Sequence, residues 1–281
     1  MAHQKTLLRS LPEFVVLGFF FALFRVLPLD VASALGSLIG RNLGPKLKWH
    51  RIAATNLRAV FPQKNEAEIA KILHGMWDNL GRTLAEYPWL NSPQLAARIQ
   101  MPLVMPHPHS IYAAAHLGNW EVTPLVSHLR HLPLTLIYRR INNPLVDKLI
   151  YHIRHKHCAA LYPKGRRGAA EVLRALKSGR ALGILIDQKM NDGIEVPFFG
   201  LPAMSAPATA DLAKRFHVPI VMTRVVREPN VRFRIEFCDL PFTSEEPTPE
   251  IMCRMHQQLE QWILEHPDQW LWIHRRWGGI T

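Results

Sequence analysis

The sequence has little cysteine and comparatively few acidic residues, and its longest apolar run is short. Its three cysteines, Cys158, Cys238 and Cys253, are scattered along the chain and form no CxxC pair. A small, odd number of dispersed cysteines argues against a disulfide framework or a zinc site and favours a reducing compartment. The 281 residues contain no repeat and no low-complexity linker, and 48% of them are hydrophobic, so a sizeable core can form.

The shortage of acidic residues leaves a strongly basic chain. Lysine and arginine together number 34, against 22 aspartates and glutamates, which gives a formal net charge of +12. Such an excess favours an anionic partner, which could be nucleic acid, an anionic membrane or a phosphorylated substrate. The basic residues are spread out and form no recognised nucleic-acid-binding motif, and this argues against the first of the three.

The N-terminal region contains the apolar run FVVLGFFFALF at residues 14–24. These residues are too few for a membrane-spanning helix, which needs about 20. The wider stretch 14–40 is mostly apolar but contains Arg25, Pro28 and Asp30. Three interpretations are open: a secretory signal peptide cleaved near the small residues 32–34, a buried core helix, or a helix seated in a membrane with a basic cytoplasmic flank. We favour the last, and predict a membrane-associating segment at residues 1–45 and an α/β domain at residues 46–281.

The pattern of the remaining chain predicts this α/β fold. Asn65 and Glu68 have the spacing of a capping box, and apolar residues at helical intervals follow, so we expect a helix that ends before Pro88. After residue 100, short apolar runs alternate with helical patterns, which indicates a mixed, largely parallel sheet flanked by helices. The predicted strands are 110–115, 134–138, 182–187, 219–226 and 232–237, and the predicted helices are 120–129, 144–155, 168–178, 206–216 and 249–265.

The stretch His116-Leu-Gly-Asn-Trp-Glu121 lies at one of the predicted strand-to-helix junctions. On a regular helix, five positions would leave the His116 and Glu121 side chains about 140° apart. They converge only if the histidine lies in the turn and the glutamate in the first helical turn. Gly118 permits such a turn, and Asn119 can cap the helix.

Three kinds of site fit these residue types. A histidine that is oriented by a carboxylate can take a proton from a hydroxyl group, and the helix N-terminus can stabilise an oxyanion. Ordinary turn packing is the second interpretation. The third is a metal centre, for instance of a hydrolase, in which His107 and His109 join His116, although their spacing matches no recognised zinc motif.

The stretch 116–121 also resembles the H-x4-[DE] signature of glycerolipid-type acyltransferases. Its glutamate form, with Asn-Trp before the acid, is similar to the late acyltransferases of bacterial lipid A biosynthesis. Further stretches of this sequence resemble other sequence blocks of that family, in the same order, along nearly the whole chain. They are NLRAVFP at 56–62, YRRINNPLVD at 138–147, Asp187-Gln188 with VPFFG at 196–200, and WLWIHRRW at 270–277.

The resemblance implies an activity. His116 would be the general base and Glu121 the carboxylate that orients it. The base would deprotonate a hydroxyl of a lipid A precursor, which would attack the acyl thioester of acyl-carrier protein. An already activated thioester needs no metal or diffusible cofactor. The same chemistry on another glycolipid or aminolipid is the alternative, and the implied location is the cytoplasmic face of a bacterial inner membrane.

Six residues are candidates for binding the phosphorylated glycolipid: Arg139, Asn143, Arg154, Arg166, Asp187 and Gln188. Arginine suits phosphate and carboxylate oxygens, although each arginine could instead be a solvated surface charge. Asn143 could alternatively cap the helix that begins at Pro144. Asp187 ends an apolar strand and could face the crevice at the strand ends or satisfy a neighbouring loop.

Two apolar blocks have alternative interpretations. Val196–Gly200 could be a loop that lines an acyl chain, although Phe198 and Phe199 are more often plain core. The C-terminal tryptophans could lie at a membrane interface beside Arg275 and Arg276, or pack on the domain, which we favour.

Overall fold

In the computed structural model, which describes residues 7–278, helices surround a central sheet. The helices are α1 (Leu7–Val26), α2 (Leu29–Leu43), α3 (Lys48–Val60), α4 (Glu66–Glu86), α5 (Pro93–Ala96), α6 (Val122–Leu129), α7 (Pro144–Arg154), α8 (Arg166–Lys177), α9 (Ala208–Phe216) and α10 (Thr248–Glu265). The strands are β1 (Ile99–Gln100), β2 (Ile111–Ala114), β3 (Leu134–Tyr138), β4 (Cys158–Pro163), β5 (Leu182–Leu185), β6 (Ile194–Phe198), β7 (Leu201–Ser205), β8 (Ile220–Glu228) and β9 (Arg232–Leu240).

Seven of the strands form one sheet in the order β1-β9-β8-β2-β5-β3-β4. Strands β8, β2, β5, β3 and β4 all run in the same direction, whereas β9 is antiparallel to β8. The predicted α/β fold with a mixed, largely parallel sheet is therefore confirmed. The carboxyl ends of β2, β5, β3 and β4 meet at one edge of the sheet, where α/β proteins commonly place their functional groups.

Helix α4 begins as predicted. The Asn65 side chain accepts a hydrogen bond from the backbone N–H of Glu68, and the Glu68 carboxylate accepts one from the backbone N–H of Asn65. Its apolar stripe, which includes Ile69, Met76 and Trp77, is buried in the main core.

Helix α2 packs unusually closely against α4 because glycines line the contact. Cβ atoms at Gly36 or Gly40 would overlap the carbonyl oxygens of Gly81 or Trp77, so only hydrogen fits at these positions. This spacing of small residues lets two helix backbones approach each other. Ser33, between these glycines and the start of α2, donates a 2.7 Å hydrogen bond to the buried carboxylate of Glu86 on α4.

The apolar side chains of α1 lie mostly on the surface. Val15, Val16 and Phe19 are 58%, 58% and 63% exposed, whereas Phe24 is buried. The alternative of a buried core helix for this stretch is therefore wrong. Within residues 7–278, no helix is both long enough and apolar enough to cross a bilayer. Residues 32–34, the small residues of the signal-peptide interpretation, lie inside α2.

The C-terminal tryptophans pack on the domain, as we favoured. Trp270, Trp272 and Trp277 are all buried in the main core. Trp270 and Trp277 contact the ring of Phe198, which stacks on that of Trp277 at a centroid distance of 5.7 Å. Residues 196–200 are not a loop wall: strand β6 ends at Phe198, and a tight turn at Phe199 and Gly200, both with positive φ, leads into β7.

Candidate active site

The position of His116 follows from the register of two neighbouring strands. Ala114, the last residue of β2, is paired with Leu185, the last residue of β5. His116 and Asp187 each come two residues later, so the parallel strands deliver them side by side at the carboxyl edge of the sheet. The His116 Nδ1 atom lies 2.8 Å from Asp187 Oδ1.

The Asp187 carboxylate is fully enclosed by hydrogen-bond donors. Its Oδ2 atom accepts bonds of 2.9 Å from the backbone N–H of His116 and from the indole N–H of Trp270. An ionised carboxylate is acceptor-only, so the His116 ring must present Nδ1–H to it, and this leaves Nε2 as a free base on the other side.

The electrostatics of the pair make a charged imidazolium easier to form than in a free histidine. Burial alone would lower the pKa of His116, but the Asp187 carboxylate outweighs burial and raises this pKa above its ordinary value. Burial likewise opposes ionisation of Asp187, yet His116 and the three hydrogen bonds keep its pKa far below the usual range. The site can therefore stabilise the positive charge that His116 acquires when it takes a proton.

Glu121 was predicted to orient His116, and the structure assigns that contact to Asp187 instead. The Glu121 carboxylate lies in a buried ion pair with Arg154 of α7, which donates from both Nε and Nη2. The Tyr87 hydroxyl and the Trp120 indole N–H donate to it at 3.2 and 3.0 Å. Burial opposes its charge, but Arg154 lowers the pKa of Glu121 below its ordinary value.

Glu121 still influences the histidine indirectly. The Trp120 ring, held by Glu121, lies edge-on to the His116 ring at a centroid distance of 5.0 Å. The Glu121 charge also adds to that of Asp187 in raising the pKa of His116.

A buried polar network fixes the turn between His116 and α6. Gly118 has φ +59°, and a Cβ there would overlap the carbonyl oxygen of Val225, so the turn requires glycine. The Asn79 amide of α4 donates to the Gly118 carbonyl oxygen at 3.0 Å. Next to it, the Glu86 carboxylate accepts from Asn119 at 2.8 Å and from Arg227 at 2.6 Å.

Gln188 lies at the open side of the histidine. Its amide nitrogen is 3.4 Å from His116 Nε2 and 3.2 Å from the Nε2 atom of a second histidine, His274. The two imidazole rings have a centroid distance of 5.6 Å. Sequence reasoning missed His274, whose only signal was its place in the resembled block at 270–277.

The remaining candidate residues for substrate binding lie in different environments in the structure. Arg139 follows β3 and Arg166 begins α8 after β4, and both are exposed at the carboxyl edge of the sheet. Asn143 is only 1% exposed, and its oxygen caps α7 by accepting from the backbone N–H groups of Leu145 and Val146. Its amide donates to α1, so the predicted substrate contact of Asn143 is wrong and its alternative role as a helix cap is correct.

The metal interpretation does not fit the geometry. His107 and His109 precede β2 and His116 follows it, so the first two lie at the opposite edge of the sheet. At about 3.3 Å per residue, the seven positions from His109 to His116 span at most about 23 Å. No group of metal-ligating side chains occurs in the part of the chain that the structure describes.

A histidine that is backed by a buried carboxylate, with its second nitrogen beside the exposed Gln188, is an arrangement that group-transfer and hydrolytic enzymes use to activate a hydroxyl group.

Comparison with known proteins identifies the particular family. The sequence model of the bacterial lipid A biosynthesis acyltransferases matches residues 1–101 and 105–278. The chain is 27% identical over 272 residues to the lipid A biosynthesis palmitoleoyltransferase of Escherichia coli (strain K12), which covers 89% of this chain and 86% of that protein. Identity to the lipid A biosynthesis acyltransferase of Haemophilus influenzae is 22% over 278 residues, with coverages of 91% and 84%. The chain belongs to the bacterial lipid A biosynthesis acyltransferase family, which confirms the resemblance, and it is an acyltransferase of lipid A biosynthesis.

Proposed function

We propose that the enzyme transfers a fatty acyl chain from the thioester of acyl-carrier protein to a hydroxyl of a lipid A precursor, with His116 as general base. The observation that carries this proposal is the 2.8 Å contact between His116 Nδ1 and Asp187 at the carboxyl edge of the sheet. In place of Glu121, Asp187 is the carboxylate that orients the base and stabilises its charged form.

The reaction follows from this arrangement. The acceptor hydroxyl donates to His116 Nε2, and its oxygen attacks the thioester carbonyl carbon as the proton moves to Nε2. The tetrahedral intermediate collapses, the C–S bond breaks, and the leaving thiolate takes the proton back from Nε2. An ester and a free thiol result, and His116 returns to its neutral form.

Exposed basic residues are suited to bind the phosphates of the acceptor. Arg139 and Arg166 lie at the carboxyl ends of β3 and β4, and the exposed Arg140, Lys164 and Arg167 accompany them. Strands are about 4.8 Å apart, so this surface begins roughly 10 Å from the base, two strands away from β2. We do not place Arg154 in this surface, because its guanidinium is paired with the Glu121 carboxylate.

Helix α1 is suited to bind the membrane that supplies the acceptor. Its exposed valines and phenylalanines form an apolar surface that no other part of residues 7–278 covers. Interfacial helices insert surfaces of this kind into lipid. The Asn143 amide, just beyond β3, donates to the Ser10 carbonyl oxygen at the start of α1. Lipid bound to α1 would thus lie beside the edge that carries His116, on the cytoplasmic face of the inner membrane.

Replacement of the base tests the chemistry. His116→Ala should lose almost all transfer from acyl-carrier protein to a lipid A precursor in detergent micelles, a loss of roughly 10⁴-fold or more. His107→Ala is the matched control, because His107 lies at the opposite edge of the sheet and pairs with Asp239. Transfer by His116→Ala within tenfold of the control would exclude His116 as the base.

Vesicle flotation tests the membrane surface. The variant Val16→Asp with Phe19→Asp should float poorly with vesicles of phosphatidylethanolamine and phosphatidylglycerol, while Leu264→Asp, at a 55% exposed position of α10, should float like the wild type. Equal flotation of the two variants would refute membrane binding through α1.

Mass spectrometry of lipid A from cells with and without the enzyme would show whether lipid A is the acceptor, and the mass difference would identify the fatty acyl chain that is added.

A further inference from the structure

The Gln188 amide joins two histidines at the mouth of the site. Its nitrogen is 3.4 Å from His116 Nε2 and 3.2 Å from His274 Nε2. An amide carries two hydrogens, so it can donate to two neutral ring nitrogens at once. When both rings are neutral and carry their proton on Nδ1, both histidines direct an acceptor nitrogen at the same group.

His274 sits on a firmly held segment of backbone. The Asn56 side chain of α3 donates to the carbonyl oxygens of Trp272 and His274, both at 2.7 Å. On the far side, Arg276 is buried and its guanidinium donates to the Met204 carbonyl oxygen and to the Ser205 hydroxyl at 2.9 and 2.6 Å. The backbone that carries the His274 imidazole is therefore held in place, whereas Gln188 is an exposed side chain with several rotatable bonds.

The environment keeps His274 neutral. Burial lowers its pKa, and a positive charge on His116 lowers the pKa of His274 further. When His116 takes a proton during the reaction, His274 remains an acceptor and continues to bind the Gln188 amide.

We propose that His274 is a positioning residue that holds the Gln188 amide beside the reacting carbonyl, where the amide donates to the developing oxyanion. The inference rests on the proposed function of His116 as base. In the resting site, the two amide hydrogens point to His116 Nε2 and His274 Nε2. The arriving hydroxyl group occupies His116 Nε2 and releases one amide hydrogen, which turns to the thioester oxygen, while the other stays on His274.

The distances suit this exchange. An oxyanion donor acts about 2.7–3.1 Å from the oxygen that becomes charged, and a general base acts at a similar distance from the attacking hydroxyl. In the tetrahedral intermediate these two oxygens are separated by a single carbon atom. A base and a donor 3.4 Å apart can therefore contact both oxygens of one intermediate. During the step, the carbonyl π electrons move onto the oxygen as the new C–O bond forms, and they return as the C–S bond breaks.

A double-mutant cycle tests the inference. Gln188→Ala should lower kcat about 100-fold, as loss of an oxyanion donor does, with little change in the KM for the thioester. His274→Ala should lower kcat roughly tenfold, because an unheld glutamine regains its rotamer freedom. The double variant should match Gln188→Ala within about twofold, because His274 acts only through Gln188.

The controls separate a positioning role from a structural one. His274→Asn keeps a hydrogen-bonding side chain and should recover part of the activity, and His74→Ala, at an exposed position of α4, should behave like the wild type. Thermal melting checks that each variant is folded. Losses that multiply in the double variant, or a kcat of His274→Ala within twofold of His74→Ala, would overturn the inference. Neither result bears on His116→Ala, whose full activity would instead remove the proposed function.

Discussion

Substitution of Asp187 by asparagine tests the arrangement around His116 most directly, because it keeps the size of the side chain and removes its charge. Two donors, the His116 backbone N–H and the Trp270 indole N–H, converge on Oδ2, whereas Oδ1 faces only His116 Nδ1. The amide oxygen of the asparagine should take the position with two donors. Its NH2 group would then face Nδ1.

The tautomer of His116 would change as a result. Nδ1 would have to accept a hydrogen bond, so the ring proton would move to Nε2, which could no longer accept a proton from the substrate hydroxyl. An equivalent carboxylate-to-amide change in a triad of this type lowers kcat about 10⁴-fold, and we expect a loss of that order for Asp187→Asn. The cost in folding stability should be only about 1–3 kcal/mol, because most hydrogen bonds are kept.

The assay is the rate of transfer from acyl-carrier protein to a lipid A precursor as a function of pH. The base must be neutral to act, so activity falls as the pH drops through the pKa of His116, which Asp187 raises above the ordinary histidine value of about 6.5. In Asp187→Asn, the residual activity should fall at lower pH, because the carboxylate that raised this pKa is gone. A folded Asp187→Asn enzyme within tenfold of wild-type kcat, or an acid limb that does not move, would refute the reasoning.

Two further predictions concern stability. Glu121→Gln should lower the free energy of unfolding by about 3 kcal/mol in urea titrations at neutral pH, because it leaves the Arg154 guanidinium without its carboxylate; a loss below 1 kcal/mol would contradict the buried ion pair. The pKa of Glu121 is lower in the folded protein than in the unfolded chain, where it is about 4.3. The contribution of Glu121 to the free energy of unfolding is therefore fully present above about pH 4.3, and it should vanish as the pH falls through the lower pKa of the folded protein. Gly40→Ala should lower Tm by several degrees, because the added Cβ would overlap the Trp77 carbonyl oxygen. Gly18→Ala is the control and should leave Tm unchanged, because the space around Gly18 is open. Equal Tm values for the two variants would argue against the close packing of α2 on α4.

The sequence predicted the elements with strong local patterns. The capping box at Asn65, strand β3 and the strand-to-helix junction at His116 were found because each is encoded in a few adjacent residues. The hairpin β6–β7 was missed because each strand contains a proline, Pro197 and Pro202, which weakens a strand assignment.

The partner of the histidine could not be predicted in the same way. Glu121 is five residues from His116 and looked like its partner, whereas Asp187 is 71 residues away. Their contact depends on β2 lying next to β5, and no local sequence pattern specifies this strand order. His116 directly follows the predicted strand 110–115 and Asp187 ends the predicted strand 182–187, so a known strand order would have identified the pair.

The glycine-lined contact between α2 and α4 limits how this enzyme can be made easier to handle. Removing the hydrophobic N-terminus would uncover a groove in α4 at Gly81 and take away Ser33, a donor to the carboxylate of Glu86 that also holds Asn119 of the catalytic turn. A shortened protein would therefore lose activity, as well as the lipid-binding surface proposed for α1. A soluble form should instead be sought by exchanging outward-facing apolar residues of α1 for polar ones while both N-terminal helices are kept.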